Sequence, residues 1–229
     1  MSGDIEIGDS RLLRVDAFRI YSMCTIIILH VEFFGIVESD SMTPLLRLIS
    51  GIAVRFAIPY FSLMAGYFLA GNIDRRPSEV LSIALQYTAR LGWVFVFWCT
   101  IYALIDPTKT LTLVKTHPLR ILLEGTAVHL WYLPSLLMSL WLFVALGSNR
   151  HQKGFLLLGS VLFGLGLLGG PYKHTALGIN LRIDPRNGPF FTTLFFGIGA
   201  AFHQLVPKLN RGWSAMIAVS GFALYCLEA

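Results

Sequence analysis

Charge is what this sequence has least of. Asp, Glu, Lys and Arg make up 14% of its 229 residues, where an ordinary soluble domain carries about 25%. Beside a hydrophobic content of 55% and a mean hydropathy of +0.66, that scarcity excludes an ordinary soluble domain and requires an integral membrane protein. Strands alternating apolar and polar residues are also missing, which excludes a membrane barrel and leaves a helical bundle. Cysteines are few: Cys24, Cys99 and Cys226 lie in apolar runs without paired or metal-ligand spacing and read as small core residues. The chain shows no low-complexity tract, no repeat and no second, soluble domain. Its acidic, polar start, MSGDIEIGDSRLLR, is unlike a cleaved secretory signal, so the first apolar run is expected to stay in the mature protein.

What is present is a series of apolar runs, at about 15 to 37, 45 to 71, 87 to 106, 129 to 147, 154 to 170, 189 to 206 and 213 to 228. They predict an all-α, polytopic bundle of about seven spans forming a single membrane domain over residues 1–229, with residues 1–13 as a cytoplasmic tail. The net charge of +5 needs no nucleic acid, because Lys and Arg collect between the apolar runs. There they set topology and meet anionic lipid headgroups. Their distribution favours a cytoplasmic N-terminus. The Gly-rich GLGLLGG lacks the Lys-Ser/Thr ending and the preceding strand of a phosphate loop, and reads as a tightly packed span.

The run RVDAFRIYSMCTIIILHVEFFG keeps Arg19, His30 and Glu32 despite the cost of ionisable groups in lipid. Eleven residues on a helix turn through about 1100°, three turns plus roughly 20°, so Arg19 and His30 share one face about 16 Å apart along the axis. One can hold phosphate and the other can move protons. Glu32 is about 200° from His30 and cannot orient it from the same face. Asp16, three residues before Arg19, can pair with it, the alternative in which Arg19 is a neutralised structural cation.

In the second run Arg55 finds its best position in the bundle interior, against the alternative of snorkelling to the surface. Pro59, four residues on, cannot donate to the Arg55 carbonyl and predicts a kink. Ser62, Ala65 and Gly66 allow a close helix approach. In the polar loop NIDRRPSEV, Ser78 and Glu79 suit a helix start. Arg75 and Arg76 read first as positive-inside anchors, and second as holders of an anionic cofactor. Residues 106 to 128 read as a loop on the outer side, with His117 at the surface. His129, Trp131 and Tyr132 sit at interfacial level, where an aromatic belt accounts for the Trp and Tyr.

Four stretches together resemble the acyltransferase-3 family of membrane proteins: RVDAFRIYSMCTIIILH, RFAIPYFSLMAGYFL, HLWYLPSLL and RNGPFFTTLFFGIGA. The last is similar to the branch that includes enterobacterial common antigen O-acetyltransferase and the membrane domains of some serine racemases. The resemblance implies transfer of an acyl group from acyl-CoA, usually acetyl-CoA, to a hydroxyl of a cell-surface glycan or lipid-linked glycan. It implies a bacterial plasma membrane location and no permanently bound cofactor, and His30 with Glu32, an isolated pair without close partners of zinc spacing, argues against a metal. His30 would then be the general base and Arg55 an oxyanion stabiliser, as catalytic residues, with Arg19, Arg75 and Arg76 binding the donor. The family has about ten spans, so about seven implies that the final helices are missing. The alternatives to this enzyme are a noncatalytic or truncated membrane protein and a transporter-like bundle.

Overall fold

Every regular element among the described residues of the computed structural model is helical. Those residues are 16–17, 19–24, 27, 56–146, 151–181 and 184–205. The chain divides into two compact units, Met1–Phe61 with Lys208–Ala229, and Ser62–Pro207. In the first unit, residues 16–17, 19–24 and 27 are helical, as the apolar run there predicts.

The second unit carries most of the described helices. They are α1 (Ala57–Arg75, which begins in the first unit), α2 (Val80–Ile105), α3 (Pro107–Thr116), α4 (Pro118–Glu124), α5 (Tyr132–Ala145), α6 (Gln152–Gly169) and α7 (Thr192–Leu205). Helix α1 runs four residues past the expected end of its span, and the expected loop shrinks to Arg76 and a 3₁₀ turn over Pro77–Glu79. Arg76 precedes a proline and leaves helical geometry at φ −139°, ψ 66°. The helix start expected at Ser78 and Glu79 is there, with Glu79 at the N-cap of α2, though its side chain makes no cap bond. That side chain pairs instead with Arg76 at 3.1 Å.

The stretch expected as an outer loop contains two short helices. Asp106 caps α3 by accepting from the Lys109 N–H at 3.0 Å, and Pro107 takes the first position, where its missing N–H costs nothing. Three threonines of α3 return their hydroxyls to carbonyls four residues back, Thr110 to Asp106 at 3.0 Å, Thr112 to Thr108 at 2.9 Å and Thr116 to Thr112 at 2.8 Å. His117, again before a proline, breaks the helix and is exposed, as the surface reading has it.

Among the described residues, two helical stretches are long and apolar enough to cross a membrane, Pro77–Ile105 and Gln152–Gly169, and a third counts if Pro118–Glu124 and His129–Ala145, bent by 71°, form one span. This is a membrane protein, but the described residues do not reach seven spans. Helices α5 and α7 have 14 residues each, about 21 Å against a hydrocarbon core of about 30 Å. The outward side of α2 explains why lipid is its solvent: Trp93 is 75% exposed and Phe97 57%, an apolar surface that water would not tolerate over this length.

Helix α7 is the axis of the unit. It runs parallel to α5 and antiparallel to α6, and Phe143, Phe155 and Phe196 from the three helices meet with ring centroids 5.1 to 6.2 Å apart, Phe155 edge to face with each of the other two and Phe143 tilted on Phe196. Small residues set the spacing. A Cβ at Gly66 of α1 would overlap the Phe196 carbonyl oxygen, and one at Gly199 would overlap that of Leu63, so α1 and α7 touch backbone to backbone. The close approach read from Ser62, Ala65 and Gly66 is therefore made, and its partner is α7. Gly159 of α6 meets Leu194 in the same way.

The buried hydroxyls between α5 and α7 are paired. Ser135, Ser139, Thr192 and Thr193 are all within 1% of complete burial. Their hydroxyls form one chain, with Ser135 to Thr192 at 2.8 Å, Ser139 to Thr192 at 2.7 Å and Ser139 to Thr193 at 2.9 Å. Ser135 ends it by donating to the Gly188 carbonyl at 2.6 Å. The chain fastens α5 to α7, where no water is on hand to satisfy these groups. The cysteine reading holds less well: Cys99 is half-buried, but Cys24 is exposed.

Candidate functional site

The residues singled out by sequence fall into three groups. His30, Glu32 and Arg55 lie outside the described residues. Arg19 is described in the first unit, and its Nη1 donates to Asp16 Oδ1 at 3.0 Å. The pairing anticipated for the structural alternative is thus formed, with side chains 43% and 60% exposed. An exposed pair of this kind contributes little stability. On the same helix Ser22 is fully buried, whereas Ile20, Tyr21, Met23 and Ile27 are exposed. Ser22 is about 60° from Arg19 around the axis, so the arginine borders the covered side of the helix.

Arg75 and Arg76 lie in the second unit at the C-terminal end of α1. Arg75 is in the last turn, where a cation meets the negative end of the helix dipole. Both are exposed, and Arg76 holds Glu79. Beside them is a cluster that sequence reasoning missed. His203, from the last turn of α7, lies over Gly71, stacks edge to face on Tyr67 with centroids 5.2 Å apart, and reaches Asp74 with Nε2 at 3.5 Å. Tyr67, Gly71 and Asp74 recur every three or four residues and form one face of α1. His203 Nδ1 is buried without a hydrogen-bond partner among the described residues. The Asp74 contact favours the tautomer with its proton on Nε2, which leaves Nδ1 a lone pair rather than an unmet donor. On another face of α1, Asn72 donates to the Tyr87 hydroxyl at 2.9 Å and fixes α1 to α2.

The other end of α7 carries a second polar cluster. Asn187, only 8% exposed, donates from Nδ2 to Glu124 Oε1 at 2.6 Å. Arg120 donates to the same oxygen from one turn back on α4. Asp184 caps the 3₁₀ turn Pro185–Asn187 by accepting from the Arg186 N–H at 2.9 Å, and it holds the Arg186 guanidinium through Nε at 3.1 Å and Nη2 at 2.6 Å. These bonds to Arg186 hold the Asp184 carboxyl below the usual carboxylate range, with Arg120 adding a smaller push in the same direction. The matching bonds to Glu124 and Asp184 raise Arg120 and Arg186 above the ordinary guanidinium value. Nearby, His129 packs edge to face on Tyr102 with centroids 4.8 Å apart.

Helix α7 places these two clusters at its opposite ends, 14 residues or about 21 Å apart along its axis. Two local signals pointed to the second cluster: the i, i+4 spacing of Arg120 and Glu124, and the Asp-Pro pair at Asp184. Nothing local pointed to its closure by Asn187, 63 residues from Glu124.

Residues 12–227 match the acyltransferase domain of the acyltransferase-3 family. Two curated proteins of Enterococcus faecalis, each named amino-acid racemase, are similar to the chain. One is 23% identical over 225 residues, covering 93% of this chain and 30% of the relative. The other is 24% identical over 213 residues, covering 86% of this chain and 30% of the relative. The chain thus spans less than a third of the length of these curated relatives. No solved structure matches it.

Proposed function

We propose that this chain, which belongs to the acyltransferase-3 family, transfers an acyl group, in the first place acetyl, from acyl-CoA to a hydroxyl of a cell-surface glycan or lipid-linked glycan. The match over residues 12–227 carries the reading. Its setting is a bacterial plasma membrane with the N-terminus in the cytoplasm.

In this reading His30 takes the proton from the acceptor hydroxyl, and the oxygen attacks the thioester carbonyl. Arg55 stabilises the resulting oxyanion. As the tetrahedral intermediate collapses, the carbon–sulfur bond breaks and His30 returns its proton to the departing CoA thiolate. General-base assistance of this kind is typically worth about 10² to 10⁴ in rate, and an oxyanion donor about 10² to 10³. Arg19, Arg75 and Arg76 hold the phosphates of CoA. Two features support this division of labour: Arg19 borders the covered side of its helix, and the basic end of α1 is separated by the length of α7 from the polar cluster around Asn187.

The coverage of less than a third of the racemase relatives favours a second reading, a membrane module without turnover of its own. Release of free CoA thiol separates the two. The purified chain in nanodiscs is expected to consume acetyl-CoA at least tenfold faster than protein-free nanodiscs, with a further rise when a glycan acceptor is supplied. Rates equal to the protein-free control, with donor and acceptor both present, would leave the noncatalytic reading standing.

A further inference from the structure

Between the end of α6 and the start of α7 lies a cleft of about 620 Å³, lined among others by Gly169, Lys173, Leu181, Asp184, Arg186 and Phe191. Its apolar side is shaped by a glycine: a Cβ at Gly169 would overlap the Leu181 side chain. Its polar side carries more positive charge than its carboxylate uses. Asp184, its carboxylate among the lining residues, is occupied by Arg186. Lys173 is exposed, its backbone N–H donates to the Gly170 carbonyl at 3.1 Å, and its ammonium has no hydrogen-bond or ion-pair partner among the described residues. Among the described lining residues, Lys173 and Arg186 against Asp184 leave one positive charge, and Lys173 is the cation left over.

Arg186 also has donors to spare. A guanidinium has five N–H groups. Asp184 takes Nε–H, shared between its two oxygens at 3.1 Å each, and one Nη2–H at 2.6 Å. Both Nη1 hydrogens and the second Nη2 hydrogen have no partner among the described residues, and the side chain is 59% exposed. Asp184 is itself fixed as the cap of the 3₁₀ turn, so the fork is held in place before any ligand arrives. Binding through it therefore costs less side-chain entropy than binding through a free arginine.

We infer that this cleft is a phosphate-binding site, with Arg186 supplying a pre-oriented set of N–H donors and Lys173 a mobile point charge. Three free guanidinium hydrogens and an ammonium match the several oxygens of a phosphate better than the two of a carboxylate. The phosphate belongs either to a membrane lipid headgroup or to a phosphate-bearing ligand. Under the acyl-transfer reading such a ligand is the acceptor, held at the end of α7 away from Arg75 and Arg76. That last step rests on the proposed function, whereas the site itself does not.

The test reads binding and not turnover, so its failure is distinct from failure of the proposed reaction. The full chain, purified in non-ionic detergent free of phospholipid, is titrated against inorganic phosphate by ³¹P NMR line broadening, with acetate as the carboxylate competitor. Wild type is expected to bind phosphate in preference to acetate. Lys173→Gln, which disturbs no described contact, is expected to weaken binding severalfold, and Lys173→Gln with Arg186→Gln at least tenfold. Arg186→Lys should retain part of the affinity, and Lys109→Gln on α3 all of it. Displacement of bound phosphate by phosphatidylglycerol micelles would assign the site to a lipid headgroup, and persistence of binding in their presence would assign it to a phosphate-bearing ligand. Equal affinity in wild type and Lys173→Gln, or acetate binding as well as phosphate, would overturn the inference.

Discussion

Asn187 donates its side-chain amide to Glu124 at 2.6 Å, joining the turn that starts α7 to the last residue of α4 across 63 positions of sequence. Arg120 donates to the same carboxylate oxygen, so Glu124 receives a neutral and a charged donor together. The contact is nearly buried at Asn187 and holds one end of the bundle closed.

Removing the amide should therefore cost more than an average polar substitution. Asn187→Ala is predicted to destabilise the protein by about 1–3 kcal/mol, the penalty for losing a buried hydrogen bond to a charged group. Asn187→Asp should be worse, since it sets two carboxylates against each other. Unfolding in mixed detergent micelles checks the order, and a ranking with Asp above Ala would contradict the account.

Acid sensitivity should trace to Asp184. Its folded carboxyl titrates below the ordinary value because Arg186 donates to it. The sign follows: the unfolded chain binds this proton more readily, so the stabilisation is present above the ordinary carboxylate value of about 4 and is lost as pH falls through the lowered one. Asp184→Asn is predicted to be less stable than wild type near neutrality, with the gap shrinking below about pH 4. A gap that stays constant on acidification would show that the pair contributes nothing linked to protonation.

The hydroxyl chain between α5 and α7 predicts a graded response. Thr192 reaches the Ser135 hydroxyl, the Ser139 hydroxyl and the Ser135 carbonyl, whereas Thr193 reaches only Ser139 within the chain. Interhelical bonds of this type in membranes average about 0.6 kcal/mol and reach about 1.7. Thr192→Val, which keeps the shape, should cost about 1–2 kcal/mol, and Thr193→Val less. A double-mutant cycle of Ser139→Ala with Thr192→Val should give a coupling of at least about 0.5 kcal/mol, and additivity would mean that the chain is not cooperative.

Glycines divide by what surrounds them. Gly66→Ala places a methyl group on the Phe196 carbonyl and should destabilise by about 1–3 kcal/mol through overpacking. Gly92→Ala meets nothing within 4 Å and should stabilise by up to about 1 kcal/mol through helix propensity alone. Paired thermal melts decide this, and a destabilised Gly92→Ala would indicate a neighbour that the helix packing does not show.

How far the sequence foretold this molecule depends on the range of each interaction. The helices and the membrane setting were legible because apolar runs of spanning length are local signals, and the close approach at Gly66 followed from residue size. Helix α3 was missed although Asp106-Pro107 is a cap and first-turn signature, because four threonines in ten residues argue against a helix. Three of their hydroxyls, those of Thr110, Thr112 and Thr116, bond to carbonyls one turn back, and the fourth, of Thr108, donates to the Asp106 carboxylate. Seven spans remain an expectation, because the runs at 15 to 37, 45 to 71 and 213 to 228 fall wholly or partly outside the described residues, while α5 and α7 are 14 residues each as described. The contacts of Asn187 with Glu124 and of His203 with Asp74 join residues far apart in sequence and leave no local pattern to read. Of the residues put forward for catalysis and donor binding, Arg19, Arg75 and Arg76 are described, and His30 and Arg55 fall outside the described residues.

The central claim is that His30 acts on the acceptor while a separate set of arginines holds the donor. The most direct measurement is CoA release from acetyl-CoA in nanodiscs with a glycan acceptor, comparing wild type, His30→Ala and Arg19→Gln, alongside acetyl-CoA binding to each. The account predicts that His30→Ala loses about 10² or more in kcat while still binding acetyl-CoA, and that Arg19→Gln raises the KM for the donor more than it lowers kcat. Turnover by His30→Ala equal to that of active wild type would contradict it.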